Sequence, residues 1–221
     1  MIPLRVENPS GRIPIATIVL IISNTLIYFY QISLGPAEEY FIYKYAAVAH
    51  SITTFNPAHP ASTMFPPLTL ITSQFLHVSL LHLLFNMLFL WVFGDNVEAK
   101  LGFIRYILFY LMCGVSAGIF QVVTSPNAAI PLIGSSGAIA GVMGAYFLRF
   151  PKAKVQALII IIFYIRVMKI PAIIYLGAWL ILQVIFGAPT LGDETGGVAY
   201  FAHIGGFIGG MVLFKVWEKY K

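Results

Sequence analysis

Long runs of apolar residues, separated by short polar segments, dominate this chain. Most of the runs approach the roughly 20 residues that an α-helix needs to cross the hydrocarbon core of a bilayer. The pattern predicts six membrane-spanning helices, at about 13–34, 79–93, 103–123, 134–148, 170–186 and 198–217. We therefore expect an all-α, polytopic membrane protein in which residues 1–221 form a single transmembrane domain.

Two further apolar segments lie outside these six helices. The connection 35–76 is rich in proline, threonine and aromatic residues. It is too apolar for a free linker, so we expect a first loop that is partly embedded in the membrane. The run 155–165 is too short to cross a bilayer. We expect this run to be interfacial or re-entrant rather than a seventh span.

Composition and charge agree with a membrane protein. The 221 residues are 59% hydrophobic and only 10% charged, whereas soluble domains carry about 25% charged residues. With the N-terminus inside, every Lys and Arg except Lys44 falls on the inner side, as the positive-inside rule requires. We therefore expect both termini in the cytoplasm of a multi-pass cell-membrane protein. The net charge of +5 then needs no nucleic-acid partner.

Two glycine-faced stretches carry a serine and a histidine. The glycines stand four residues apart in each: Gly137 and Gly141 on the fourth span, Gly206 and Gly210 on the sixth. Such a bare face lets another helix approach closely. Ser136 and His203, on two closely packed helices, are the residue types of a nucleophile and its base. Considered alone, each stretch is also explained as a helix-packing motif.

The even-numbered spans all enter from the outer face, and their polar residues stand near their starts. Ser136, His203, His82 and Asn86 should therefore lie at similar depth in the outer half of the bilayer, around a pocket open to outside water. His82 and Asn86 are spaced i, i+4 and share a helix face. They are either donors to an oxyanion or hydrogen-bonding residues that hold helices together.

His77 and Glu98 have simpler interpretations. His77 stands at the start of the second span, where a histidine commonly orients a loop. Glu98 closes the inner end of that span, and we expect it to be a structural hydrogen-bonding residue in the following loop. The single Cys113 excludes an internal disulfide.

The ordered motifs carry a family resemblance that covers about residues 75–210. They are His77-x-x-x-x-His82-x-x-x-Asn86, Val97-Glu98, Gly134-x-Ser136-Gly137 and Ala202-His203-x-x-Gly206-x-x-x-Gly210. In this order and on these spans they resemble the rhomboid intramembrane serine proteases. The resemblance implies a six-helix core and a catalytic dyad of Ser136 and His203. It also implies an oxyanion site formed by His82, Asn86 and the backbone N–H of Ser136.

The resemblance further implies that a transmembrane substrate enters from the lipid, past Tyr175 and Trp179 on the fifth span. The sequence departs from the family pattern at two places. Pro67 and Leu68 stand where many members carry Trp-Arg in the first loop. Ala140 stands where many members carry an aromatic residue that packs on the histidine, so another residue must hold the ring of His203.

The predicted function is an intramembrane serine endopeptidase that cleaves transmembrane segments of membrane proteins near the outer face. No Asp or Glu falls in the outer half of any predicted span, so we expect a dyad. One Cys and no acidic residue near the histidines make a poor metal site, and we expect neither metal nor cofactor. Partners would be single-span or multi-span membrane proteins and membrane lipid.

Three alternatives to a rhomboid protease remain. A transporter usually shows inverted repeats, and none is visible in this sequence. A catalytically inactive, client-binding relative would lack Ser136 or His203, and both are present. A hydrolase of the soluble type places its serine in G-x-S-x-G after a strand, whereas Ser136 is followed directly by Gly137.

Overall fold

The computed structural model describes residues 1–161, 164–192 and 197–219. In these ranges six long helices form a bundle, and three short ones lie in the first loop. In chain order they are α1 (Ile15–Ser33), α2 (Glu38–Tyr45), α3 (Ala49–Thr54), α4 (Thr69–Thr72), α5 (Leu80–Leu101), α6 (Phe103–Thr124), α7 (Ser136–Arg149), α8 (Ala172–Gly187) and α9 (Tyr200–Lys219). The predicted mostly helical, polytopic fold is confirmed.

Five of the long helices are long and apolar enough to cross a bilayer, namely α1, α5, α6, α8 and α9. The chain is therefore an integral membrane protein. α7 is shorter, with 14 residues, and every residue from 137 to 146 is buried. It packs against α5, α6, α8 and α9, so its neighbours surround it. The first residue of this central helix, Ser136, thus lies inside the bundle.

α7 and α9 are in direct backbone contact through their glycines. A Cβ atom on Gly206 would overlap the carbonyl oxygen of Gly137, and one on Gly210 would overlap that of Gly141. Any larger residue at these positions would push the two helices apart. The glycine faces therefore fix the distance between the helix that carries Ser136 and the helix that carries His203.

α5 continues to Leu101, whereas the sequence analysis ended this span at residue 93 and placed Glu98 in a loop. The polar residues that suggested a loop remain helical because each finds a partner. Asp95 accepts hydrogen bonds from the backbone and hydroxyl of Ser10, and Asn96 accepts one from Asn8. The helix ends only at Gly102, whose φ of 80° favours glycine.

Glu98 binds the first turn of α1. Its carboxylate accepts hydrogen bonds from the backbone N–H groups of Ala16 and Thr17 and from the Thr17 hydroxyl, each at 2.8 Å. The first N–H groups of a helix have no partner within the helix and carry partial positive charge. Glu98 therefore caps α1 from within α5 and joins the two helices.

In the described part of the chain, five strands form two small antiparallel sheets. In chain order they are β1 (Ile2–Val6), β2 (Ala47–Val48), β3 (Pro131–Leu132), β4 (Lys154–Ile161) and β5 (Tyr164–Pro171), and the sheet orders are β1-β4-β5 and β2-β3. The described residues of the run 155–165 thus lie in the paired strands β4 and β5, a conformation that the apolar run did not predict. β4 also pairs with the N-terminal strand β1.

The three-stranded sheet closes the end of the bundle where both termini lie. Val155, Ala157 and Ile159 alternate inward and join the hydrophobic core of the helices. At the exposed side Lys169 lies 2.5 Å from Glu7, and this hydrogen bond, with a second from Gln156, lowers the pKa of Glu7. Arg149 pairs with Glu218 at 2.7 Å and joins the ends of α7 and α9.

The first loop is anchored beside the opposite end of the bundle, although Trp-Arg is missing. β2 pairs with β3 just ahead of α7. The backbone N–H of His50 donates to the carbonyl oxygen of Ala128, and the amide of Gln74 donates to that of Leu111 on α6. Backbone pairing and a buried glutamine thus hold this loop in place.

Candidate active site

Ser136 and His203 lie side by side at the starts of α7 and α9. Ser136 Oγ is 2.8 Å from His203 Nε2, which is hydrogen-bond distance. Both residues are partly exposed, so the pair can be reached from outside the protein core. The structure brings together the two residues that the sequence analysis singled out as nucleophile and base, 67 positions apart.

The other ring nitrogen of His203 also has a partner. His203 Nδ1 lies 2.8 Å from Oε1 of Gln183, a residue on α8. The indole of Trp179, one helical turn earlier on α8, is tilted against the His203 ring with centroids 5.8 Å apart. Trp179 therefore makes the aromatic contact with His203 that the small Ala140 cannot make. The imidazole is held by a hydrogen bond at each nitrogen and by an aromatic ring.

A cavity of about 520 Å³ adjoins the pair. Its lining includes Ser136, His203, His82 and Asn86, so these four predicted site residues face a common space. The amide nitrogen of Asn86 is buried and has no hydrogen-bond partner among the residues that the structure describes. A buried donor without a partner is costly and is a feature of sites that bind a ligand. The backbone N–H of Ser136, in the first turn of α7, adds a donor that the helix itself leaves free.

Gly134 brings the chain close to His82 and Asn86 before α7 begins. Its φ of 120° is open to glycine and strained for other residues, and a Cβ atom there would lie 2.7 Å from Cε1 of His82. The backbone N–H of Gly134 donates to the carbonyl oxygen of Ser73 at 3.0 Å. This glycine thus lets the segment ahead of Ser136 pass directly over the His82 ring.

His77 is fully buried and supports the same segment from behind. Its Nε2 is 3.2 Å from Oγ of Ser135, the neighbour of Ser136. The side chain of Gln31 on α1 bonds to both backbone groups of His77. Burial lowers the pKa of His77 to about 3, so its ring is neutral. Contacts with Gln31 and Ser135 therefore hold this residue in place.

Tyr175 and Trp179, the residues expected at a substrate entrance, occupy different environments. Tyr175 is only 2% exposed, packs near Phe93 of α5 with ring centroids 6.3 Å apart, and donates to the carbonyl oxygen of Met1. It therefore joins α8 to α5 at the end near the termini. Trp179 is partly exposed and contacts His203 and Phe207 on α9.

In the part of the chain that the structure describes, no three His, Cys, Asp or Glu side chains are grouped as metal ligands. The groups that line the site are a hydroxyl, an imidazole and hydrogen-bond donors. Such a set suits acyl transfer through a serine nucleophile.

Comparison with known proteins assigns the family. The Rhomboid domain matches residues 66–218, which is well over half of the chain and includes the whole site. The chain belongs to the rhomboid family. Rhomboid protein 1, mitochondrial, of Saccharomyces cerevisiae is 30% identical over 151 residues, or 66% of this chain. Rhomboid protease GluP of Bacillus subtilis is 43% identical over 76 residues, or 34% of this chain.

Putative rhomboid protease YdcA of Bacillus subtilis is 29% identical over 146 residues, which cover 65% of this chain and 67% of that protein. The matched part is 40% of the yeast protein and 14% of GluP, so the chain matches well under half of either relative. The names of two relatives show that the rhomboid family includes proteases.

Gln183 is the site residue that sequence reasoning missed. It lies in a helix that is otherwise apolar, 20 positions before His203, and no motif joins the two. One signal could have found it. A lone amide in a membrane-spanning run is costly and marks a specific hydrogen bond.

Proposed function

We propose that this rhomboid protein is an intramembrane serine endopeptidase with Ser136 as nucleophile and His203 as general base. The observation that carries the proposal is the 2.8 Å contact between Ser136 Oγ and His203 Nε2 at the edge of a cavity. A serine hydroxyl is a weak nucleophile until an adjacent base can take its proton. The contact supplies that base at the required distance.

The reaction would follow the two-step course of serine proteases. Ser136 Oγ attacks the carbonyl carbon of the scissile bond while its proton passes to His203 Nε2. The tetrahedral intermediate collapses, the C–N bond breaks, and His203 gives the proton to the leaving amine. Water then attacks the acyl-enzyme, loses a proton to His203, and releases the carboxylic acid with Ser136 restored. No metal or cofactor takes part in these steps.

The donors for the developing oxyanion would be Asn86, His82 and the backbone N–H of Ser136. The unpartnered amide nitrogen of Asn86 supports this role, because it lines the cavity beside the nucleophile. Donors that are already in place stabilise the charge without reorganisation at the moment of reaction. A helix-holding role for Asn86 would instead require a protein partner for its amide nitrogen.

We further propose that both termini are cytoplasmic and that the site opens to the outside. The basis is the loop charge, because every Lys and Arg except Lys44 lies in segments assigned to the inner side. In lipid an unwound substrate helix leaves backbone groups unpaired at several kcal/mol each, so unwinding is easiest where water reaches. Cleavage would fall near the outer end of a substrate span.

Substrate access would lie between α5 and α8, the two helices joined near the termini by Phe93 and Tyr175. Trp179 is partly exposed and stands on α8 between this joint and Gln183. A transmembrane segment reaching Ser136 from the lipid would have to move this side chain aside. The substrates would accordingly be single-span or multi-span membrane proteins, with the enzyme surrounded by membrane lipid.

A fluorophosphonate probe tests the activated serine without any assumption about the substrate. Such probes phosphonylate serines whose proton an adjacent base removes. Labelling of the purified protein, mapped by mass spectrometry, should fall on Ser136 and should be lost in His203→Ala. Labelling on Ser135 instead, or equal labelling of Ser136 in wild type and His203→Ala, would refute the proposed pair.

A further inference from the structure

Gln183 joins α8 directly to His203. It is 9% exposed, with Oε1 2.8 Å from His203 Nδ1. Its own Nε2 lies 3.4 Å from the backbone carbonyl oxygen of Trp179, one turn earlier on the same helix. The Trp179 indole lies against the same imidazole. Two residues of one helix face thus hold His203.

The contact with Trp179 fixes which end of the Gln183 amide faces the histidine. A carbonyl oxygen only accepts hydrogen bonds, so the NH₂ group of the amide must point toward Trp179. The amide oxygen is then left to face His203, and it too can only accept. His203 Nδ1 must therefore carry the proton in this hydrogen bond.

A proton on Nδ1 leaves Nε2 of the neutral ring without one. Nε2 is the nitrogen that faces Ser136 Oγ, and a base can take the serine proton only with a free lone pair there. We propose that Gln183 is a positioning residue that holds His203 in the tautomer needed by a general base. This inference rests on the proposed function, since the tautomer matters only if His203 acts as a base.

An amide suits this task in a membrane. A carboxylate in the same position would also accept a hydrogen bond from Nδ1–H. An ionised group within a bilayer is costly, however. Gln183 provides an acceptor without net charge. The arrangement accounts for a site in which no acidic residue was expected beside the histidine, and it adds an uncharged third member to the Ser136–His203 pair.

Two substitutions separate the acceptor oxygen from the shape of the side chain. Gln183→Met keeps the length but has no oxygen, whereas Gln183→Glu keeps an oxygen at the same distance. We expect Gln183→Met to lower kcat by about 10- to 100-fold with little change in KM, as for loss of one buried hydrogen bond. Gln183→Glu keeps an acceptor oxygen, but its carboxyl group is costly to ionise within the bilayer, so its kcat should lie between those of Gln183→Met and wild type. Gln156→Met, at the far end of the molecule, is the matched control and should keep the wild-type kcat.

The tautomer itself is measured by ¹⁵N NMR of histidine-labelled protein without substrate. The signals of His203 are those among the five histidines that vanish in His203→Ala. Wild type should show a protonated Nδ1 and an unprotonated Nε2, and Gln183→Met should show the other tautomer in substantial amount. A protonated Nε2 in wild type, or the same tautomer and kcat in Gln183→Met, would overturn the proposal.

This measurement is independent of proteolysis. If Ser136→Ala still cleaved substrate, the proposed function would fail, while the NMR result would still report whether Gln183 sets the His203 tautomer. If Ser136→Ala is inactive but wild type and Gln183→Met share one tautomer, the positioning role alone fails. Thermal unfolding of Gln183→Met close to that of wild type shows that the variant is folded.

Discussion

Trp179 lies tilted against the imidazole of His203, with ring centroids 5.8 Å apart. The same indole also contacts Phe207 on α9, and it is partly exposed on α8, where we propose that substrates enter. One side chain therefore has two tasks that respond differently to its removal. We propose that it steadies His203 and obstructs the path of the substrate to Ser136.

Trp179→Ala should separate these tasks by the choice of substrate. Loss of the aromatic contact should lower kcat for a short soluble peptide by about 2- to 10-fold, because such pairs contribute about 0.5–1.5 kcal/mol. A transmembrane substrate gains an easier path, so its rate relative to that of the peptide should rise. The measurement is kcat for both substrates, with Trp91→Ala on the exposed face of α5 as control. Faster cleavage of the soluble peptide would argue against support of His203.

The contact between α7 and α9 predicts which glycines tolerate a methyl group. Gly206→Ala and Gly210→Ala force a Cβ atom onto backbone oxygens of α7, so each should destabilise the protein by about 1–3 kcal/mol. Each should also lower kcat, because the helix separation sets the distance from Ser136 to His203. Thermal unfolding and cleavage assays of the same preparations measure the two effects.

Gly177→Ala provides the matched control for these glycines. Its added Cβ atom would meet only a ring carbon of Phe147 at 3.8 Å, an ordinary contact. Stability should then stay within about 1 kcal/mol of wild type, as for an unhindered glycine-to-alanine change in a helix. If Gly177→Ala were as damaging as Gly206→Ala, close backbone approach would not explain the α7–α9 contact.

Asn86→Ala tests the oxyanion site. If Asn86 donates to the developing charge, kcat should fall by roughly 10- to 1,000-fold while KM changes little, as for the loss of a single such donor. Asn96→Ala serves as control on the same helix, because Asn96 bonds to Asn8 at the far end of α5. A wild-type kcat in Asn86→Ala would indicate that Asn86 holds helices together and does not stabilise the oxyanion.

Glu98→Ala should reduce stability and leave catalysis intact. The substitution leaves two buried backbone N–H groups of α1 and the Thr17 hydroxyl without their acceptor, at a cost of about 1–3 kcal/mol. Glu39→Ala, on an exposed position of α2, should have a much smaller effect. Unfolding in denaturing detergent gives the stability, and kcat per folded molecule gives the activity. A loss of kcat at unchanged stability would contradict the capping role.

The helices could be predicted from the sequence because apolar runs of this length have few other stable structures in a membrane. Each of the six long helices falls on a predicted span, and the largest difference is the extension of α5. The run 155–165 was different, since an uninterrupted apolar segment hides the alternation by which β4 buries Val155, Ala157 and Ile159. The pairing of β4 with β1 joins parts of the chain that are distant in sequence. The local pattern of apolar residues does not predict such a pairing.

The candidate site also has a part that the sequence predicted and a part that it did not. Ser136, His203, His82 and Asn86 stand in motifs that the sequence displays directly, and the structure arranges them around one cavity. Gln183 and the contact of Trp179 with His203 depend on how α8 is rotated against α9. Rotation about a helix axis is set by packing on both neighbours, which an apolar sequence specifies only through its three-dimensional fit.

Cleavage by purified protein in lipid bilayers tests the central claim most directly. Wild type, Ser136→Ala, His203→Ala and the double variant are incubated with a single-span substrate, and the products are mapped by mass spectrometry. Wild type should cut near the outer end of the span, each single variant should be inactive, and the double variant should be no worse than either, because the two residues act as one unit. Cleavage by Ser136→Ala at the wild-type rate would contradict the account.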